Sequence, residues 1–361
     1  MQPRGRKRVT VGIGGIAALA VAVSLSACSS NNAPSGGSSP TAAALTGTLN
    51  GSGSTFQTVF QQAAISAFKA VQPSMTVNYG SGGSGKGRSD LASNVVNYAG
   101  SDSPIPSNET ANFSGKPTVL YFPVLIGPIT MSYNLPNVST LKLTPTIIAN
   151  IFQGKTTTWN DPSIAAANPG VTLPPTPITI AVRSDSSGTT QNFSLFLQTA
   201  VPSVWTLGSS STISWPHSAH AGSGNSGVAQ IVKSTPGAIG YVDYADAKAS
   251  GLKWASVENS SGKFVEPSAA AASASAAGVT VNPDLTFHAV WGTSAAAYPI
   301  TYQSWVLVYD KQSSANVAKM LQAWLAYLLG DGQKLLPQLG YAELPASIDQ
   351  MAKAQLTKIT S

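Results

Sequence analysis

The sequence predicts an α/β protein with mostly parallel sheets. Strand-like apolar runs alternate with helical periodicities along the chain. Three Gly/Ser/Thr-rich segments each follow a strand candidate and precede a helix candidate, the place where open α/β sheets hold ligands. The 361 residues suit one large domain or two lobes with their own cores, and no internal repeat is visible.

The elements follow in order. Thr48 to Asn50 is a short strand running into GSGSTF. Phe56, Val59, Phe60, Ala63, Ala67 and Phe68 recur at helical spacing, and Pro73 stops that helix. Met75 to Tyr79 reads as a strand that enters GSGGSGKG (80–87), with a helix from Ser89 to about Val96. Tyr121 to Tyr133 carries strand-like runs, and Leu143 to Phe152 a helix. Ile178 to Arg183 is a strand leading into SDSSGTT and then a helix that puts Phe193, Phe196 and Leu197 on one face. Ala238 to Tyr244 and Ile300 to Tyr309 are further strands. Residues 267–278 are low complexity and read as an exposed helix or loop. Val317, Met320, Leu321, Trp324, Leu325 and Leu328 form an amphipathic stripe ending at Gly330.

Charge is scarce: 20 Lys+Arg and 14 Asp+Glu, 9% of residues, against 43% hydrophobic. Charge-driven disorder is excluded, because apolar content is near normal. Nucleic-acid binding is not expected, because the basic residues are mostly single rather than clustered. Four of them, Arg4, Arg6, Lys7 and Arg8, precede the apolar stretch Val9 to Leu25 and the small residues before Cys28. That is the pattern of an export signal over residues 1–27, and the stretch is short for a membrane span of about 20 residues. Leu25-Ser26-Ala27-Cys28 resembles the bacterial lipobox, which implies that Cys28 is lipidated and holds the chain on the extracytoplasmic face of the cell membrane. Cys28 is the only cysteine, so no intramolecular disulfide forms. Residues 28–47 carry no charge and read as a flexible Ser/Gly/Pro tether. Without residues 1–27 the chain holds sixteen basic and fourteen acidic residues, so the net charge of +6 falls to +2.

Candidate chemistry sits in Gly53-Ser54-Thr55-Phe56, Gly82-Gly83-Ser84-Gly85, and Arg183 through Thr190. Helix starts offer unpaired N–H groups and partial positive charge, glycines permit close approach, and hydroxyls add donors. Together these make a site for a small oxyanion. Each segment alone is also an ordinary cap or turn, and Asp102 alone is an ordinary turn residue. Gly80, Gly85 and Lys86 nearly spell a P-loop, but Gly87 stands where Mg²⁺ needs Ser or Thr. His217 and His220 lie in a Ser/Gly/Ala-rich stretch with no third metal ligand beside them, so no metal or cofactor is expected. No Gly-x-Ser-x-Gly elbow occurs.

Seven ordered segments carry a family resemblance: GSGSTF, VNYGSGGSGKG, AGSDSPI, LTPTIIANIFQGKTTTWNDPSIAAANPG, RSDSSGTTQNF, WPHSAHAGSGNSGVAQIVKSTPGAIGYVDYA and YPIT. From about Leu49 to Pro345 the chain resembles the PstS-type phosphate-binding subunit of the high-affinity phosphate ABC transporter. The resemblance implies a two-lobed periplasmic-binding-protein fold (type II) with two crossover strands, near Pro123–Gly127 and Tyr298–Tyr302. Lobe one would be 48–124 plus 301–361, and lobe two 125–300, with the ligand between them. It implies inorganic phosphate as ligand, ABC permease subunits with a cytoplasmic ATPase as partners, a monomer, and no enzymatic activity. The ligand positions carried over are Thr55 and Phe56 with Ser54 adjoining, then Ser84, Asp102, Arg183, Ser187, Gly188 and Thr189, with Asp185 orienting Arg183. Asp102 would accept a hydrogen bond from the proton phosphate keeps near neutral pH, which fully ionised sulfate lacks. Gln57 stands where the family has Pro, Lys86-Gly87 where a Gly pair is common, and Ala221-Gly222-Ser223-Gly224-Asn225 where the family has Gly-Gly-Lys-Gly-Asn. Lys86 is either solvated or adds charge near the cleft mouth. Other readings are a receptor for another oxyanion, a secreted phosphatase on the same scaffold, and an adhesin or signalling lipoprotein.

Overall fold

The computed structural model describes residues 44–361. The export signal, most of the tether and Cys28 lie outside the described residues.

The chain begins with β1 (Gly47–Gly53), α1 (Thr58–Phe68), β2 (Met75–Ser81), α2 (Ser84–Ala92) and β3 (Tyr98–Ser101). β1 pairs in parallel with both β2 and β3. α1 forms because Phe60, Ala64 and Phe68 recur every fourth residue and bury one stripe. α2 starts five residues before the expected Ser89. Glycines depress helix propensity, and here they serve close packing instead. Gly83 opens the helix at φ 92°, and a Cβ on Gly87 would lie 2.7 Å from Gly53 Cα. β3 carries no periodic signal and takes its place from pairing on both sides.

β4 (Val119–Tyr133) is a fifteen-residue strand, buried from Leu120 onwards. It leads into β5 (Lys142–Leu143), α3 (Pro145–Phe152) and α4 (Pro162–Ala167). Thr144 and Asp161 cap the two helices through their side chains, with proline in the first turn of each. Then come β6 (Thr179–Arg183), α5 (Gly188–Ala200), β7 (His220–Gly222), α6 (Gly224–Ser234), β8 (Ala238–Asp243) and α7 (Tyr244–Ala249). The short β9 (Lys253–Trp254), β10 (Ser256–Glu258) and β11 (Phe264–Val265) precede α8 (Ala269–Ala276), β12 (Thr301–Tyr309) and α9 (Ala315–Leu329). Short helices at Leu336–Leu339 and Ala346–Gln355 follow.

The main sheet runs β2-β1-β3-β12-β4-β8-β6-β7, with β9 also on β4. It is mixed rather than mostly parallel. β1, β2 and β3 are parallel to one another, as are β6, β7 and β8, but β12 and β4 run antiparallel to their neighbours. Single-strand patterns report burial, not direction, so this was invisible to periodicity. β4 bridges the two halves of this sheet: residues 119–128 pair with β12, and Ile129–Tyr133 pair with β8. Pro123 sits at the register shift opposite Ser304/Trp305, where a bulge tolerates a missing N–H. The Pro123–Gly127 segment lies inside β4, and residues 298–302 lead into β12.

α8 is a helix, but not an exposed one: Ala271, Ala272, Ser275 and Ala276 are buried. Small alanines let it lie close against β4 and β12. α9 buries the expected stripe, including Met320, Trp324 and Leu328. Among the described residues, no helix is long and apolar enough to cross a membrane.

Candidate functional site

The loops after β1 and β3 and the start of α2 build one side of the site. Gly53 has φ 133° and packs on Gly100, whose carbonyl accepts from the Ser54 N–H at 2.9 Å. Ser54 is fully buried and donates to Asp102 Oδ1 at 2.6 Å. Thr55 is half-buried. Phe56 contributes no polar side-chain atom; its ring stacks on Tyr302 at 4.1 Å and meets Tyr341 edge-on. Gln57 donates to Ser304 Oγ at 2.6 Å and to the Trp305 carbonyl at 2.8 Å. A proline at 57 would make neither bond. Ser84, in the first turn of α2, donates to Asp102 Oδ2 and accepts from the Asp102 N–H, both at 3.1 Å.

Asp102 is 1% exposed, and Ser304 of β12 supplies a third donor to it, at 2.5 Å on Oδ1. Burial raises the Asp102 pKa; the Ser304, Ser54 and Ser84 hydroxyls and the Arg183 charge oppose that shift. A carboxylate offers about four acceptor positions. Two donors converge on Oδ1 and one on Oδ2, so Oδ2 keeps room for one more.

The other side comes from the ends of β6 and β8 and the starts of α5 and α6. Arg183, at the end of β6, donates from Nε and Nη2 to the two Asp185 oxygens at 2.8 and 2.5 Å, and from Nη1 to Thr189 Oγ1 at 3.2 Å. Three of its five N–H groups are thus used within the protein. Burial alone would lower the arginine's pKa, but Asp185 holds it above its ordinary value. Asp185 lies below the usual carboxylate range, because the Arg183 fork outweighs its own burial. Ser187 caps α5 by accepting from the Thr190 N–H at 3.1 Å. Asp243, at the end of β8, is fully buried and takes hydrogen bonds from Tyr302 and Asn225. Burial, then the nearby Asp246 carboxylate, push its pKa well above the usual range.

The two sides touch. Asn192 of α5 donates to the Asp102 carbonyl at 2.7 Å, the Gly85 N–H to the Ser186 carbonyl at 3.1 Å, and Asn225 to Thr55 Oγ1 at 2.9 Å. A Cβ on Gly188 would lie within 2.6 Å of both Ser84 and Asp102. Ser54, Thr55, Ser84 and Asp102 therefore gather against Arg183, Ser187, Gly188 and Thr189, with the Phe56 backbone between Thr55 and Gln57. The sequence reading missed Ser304, Asn225, Asp243, Tyr302 and Asn192. Asn225 and Asp243 had a signal, being at a helix start and a strand end, whereas Ser304 had none beyond strand alternation.

Lys86 is 54% exposed and pairs with Asp90 one turn on, at 2.6 Å. His217 and His220 are exposed. Among the described residues, no group of three or more His, Cys, Asp or Glu side chains could hold a metal ion.

A model of the PBP superfamily domain matches residues 38–332. The phosphate-binding protein PstS 3 of Mycobacterium leprae is 34% identical over 352 residues, 92% of this chain and 94% of the relative. The chain belongs to the PstS family of phosphate-binding proteins. A second PstS, from Pasteurella multocida, is 32% identical over 314 residues, covering 85% and 89% of the two chains. The solved phosphate-binding protein from Stenotrophomonas maltophilia shares the fold at a TM-score of 0.66 and 19% identity, over 85% of this chain and 93% of that one. The periplasmic-binding-protein α/β fold expected from the sequence is thus the fold of this chain.

Proposed function

We propose that this chain is an extracytoplasmic receptor that binds inorganic phosphate between two lobes and delivers it to an ABC importer. The observation that carries the reading is Asp102: a buried carboxylate held by three hydroxyl donors, with one acceptor position left on Oδ2, beside an arginine with N–H groups to spare. Monohydrogen or dihydrogen phosphate donates its P–OH to Oδ2. Its other oxygens accept from the Arg183 guanidinium, the Thr55 hydroxyl and the first-turn N–H groups of α2 and α5. Sulfate brings no proton, so it would set an oxyanion against Asp102 in a desolvated cleft at a cost of several kcal/mol.

The lobes are residues 48–124 plus 301–361, and 125–300. Each brings part of the site, so the ligand favours the closed arrangement. The chain acts as a monomer that binds without turnover; the PstS relatives named as phosphate-binding proteins support the binding role. A lipid on Cys28, with the tether 28–47, holds it at the membrane beside the permease subunits.

Titration calorimetry on the body, after phosphate removal, tests the reading. Tight phosphate binding, weak sulfate binding and no hydrolysis of a chromogenic phosphate ester are expected. Absence of binding at micromolar phosphate overturns it. Mass spectrometry of the membrane fraction tests the anchor: an unmodified Cys28 or an uncleaved residue 1–27 segment overturns that part.

A further inference from the structure

The Gly224-Asn225 start of α6 is a motif the phosphate reading leaves without a role. Asn225 is 1% exposed. Its Oδ1 accepts from the Asp243 N–H at 3.2 Å, which fixes the amide's orientation and turns Nδ2 outward. Nδ2 then donates twice, to the Asp243 carboxylate and to Thr55 Oγ1 at 2.9 Å. Asp243 is itself steadied by the Tyr302 hydroxyl from β12. The Gly224 N–H donates to Asp185 Oδ1 at 3.0 Å, so the carboxylate that orients Arg183 also holds the start of α6. Gly224 has φ 66°, and a Cβ there would come within 3.3 Å of the Thr55 methyl.

A primary amide nitrogen donates and does not accept. Thr55 Oγ1 must therefore accept from Asn225, and its own proton is directed elsewhere. The two residues are 170 positions apart and lie on opposite sides of the site, so the bond exists only when the sides meet. We propose that Asn225, clamped by Asp243, is a positioning residue that turns the Thr55 hydroxyl into a donor toward the ligand upon closure. The proposal rests on the phosphate-receptor reading. It makes one ligand donor available in the closed arrangement and a free rotor in any other, which couples closure to affinity.

A double-mutant cycle tests it, with phosphate Kd measured by calorimetry on phosphate-free wild type, Asn225→Ala, Thr55→Val and the double variant. Asn225→Ala should weaken binding about tenfold, the scale of one lost hydrogen bond. The double variant should bind no more weakly than Thr55→Val, because Asn225 acts through that hydroxyl. Asn225→Asp, of equal size, loses the donor while keeping the acceptor for the Asp243 N–H; it should also weaken binding, and covers the case in which the alanine variant folds poorly. Unchanged Kd in Asn225→Ala or Asn225→Asp, or fully additive effects in the cycle, overturns the proposal alone. Wild-type protein that binds no phosphate overturns the receptor reading and this proposal with it.

Discussion

Gly188 and Ser84 meet across the site with no room for a methyl group between them: a Cβ built on Gly188 would lie 2.4 Å from Ser84 Oγ. Gly188 does not have a left-handed backbone, so an alanine would suit the first turn of α5 in isolation. Gly188→Ala should leave the melting temperature of the phosphate-free protein nearly unchanged. It should weaken phosphate binding by roughly tenfold or more, since overpacking of this kind costs on the order of 1–3 kcal/mol. Calorimetry beside thermal unfolding checks both halves of this expectation, and an unaltered Kd would show that the contact does not limit closure.

Asp102→Asn bears on selectivity. The amide presents a donor where the carboxylate accepted a P–OH. Phosphate affinity should fall and sulfate affinity rise, narrowing the ratio by at least about tenfold, the equivalent of 1.4 kcal/mol. A competition titration with both anions reads this directly; an unchanged ratio would refute the proton-acceptor role.

Arg88 is a structural charge rather than a ligand for phosphate. It is wholly buried, donates to both Glu109 oxygens at 2.7 and 2.8 Å, and reaches Ser101 and Ser103, which flank Asp102, at 3.0 and 3.1 Å. Arg88→Ala strands Glu109 and two hydroxyls and should cost on the order of 3–5 kcal/mol. Chemical denaturation measures it. A loss below about 1 kcal/mol would mean that water repairs the site.

Asp246 gives a pH signature. Burial pushes its carboxyl from 3.8 to about 6, with Arg183 opposing, and one of its oxygens has no hydrogen-bond partner among the described residues. The folded carboxyl holds its proton more tightly than the unfolded one. Its contribution is therefore full below about pH 4 and is lost as pH rises through about 6, to the extent of roughly 3 kcal/mol. Asp243 shifts in the same direction. Asp246→Asn should flatten the fall in melting temperature between pH 4 and pH 7, and parallel curves for the two proteins would contradict this assignment.

The sequence by itself determined the order and kind of most elements. Periodicity is a local property, and the stripes of α1, α5 and α9 face the core as their spacing requires. The ordered segments also sufficed to place the chain in its family. What tertiary structure decided is whatever depends on distant partners. The glycines at 83, 85 and 87 weaken a helix locally, yet α2 begins at Ser84 because they let it press against β1 and the α5 loop. The alanines of α8 carry no stripe, and only the sheet beneath them makes the helix an interior one. Ser304 lies 202 residues from Asp102, and the pairing of β12 with β3 and β4 is what brings its hydroxyl to that carboxylate. Asn225 likewise acquires its place beside Thr55 only when the two sides of the site meet. Local sequence sets the propensity of each segment, whereas the arrangement of the site follows from close approaches between segments far apart in the chain.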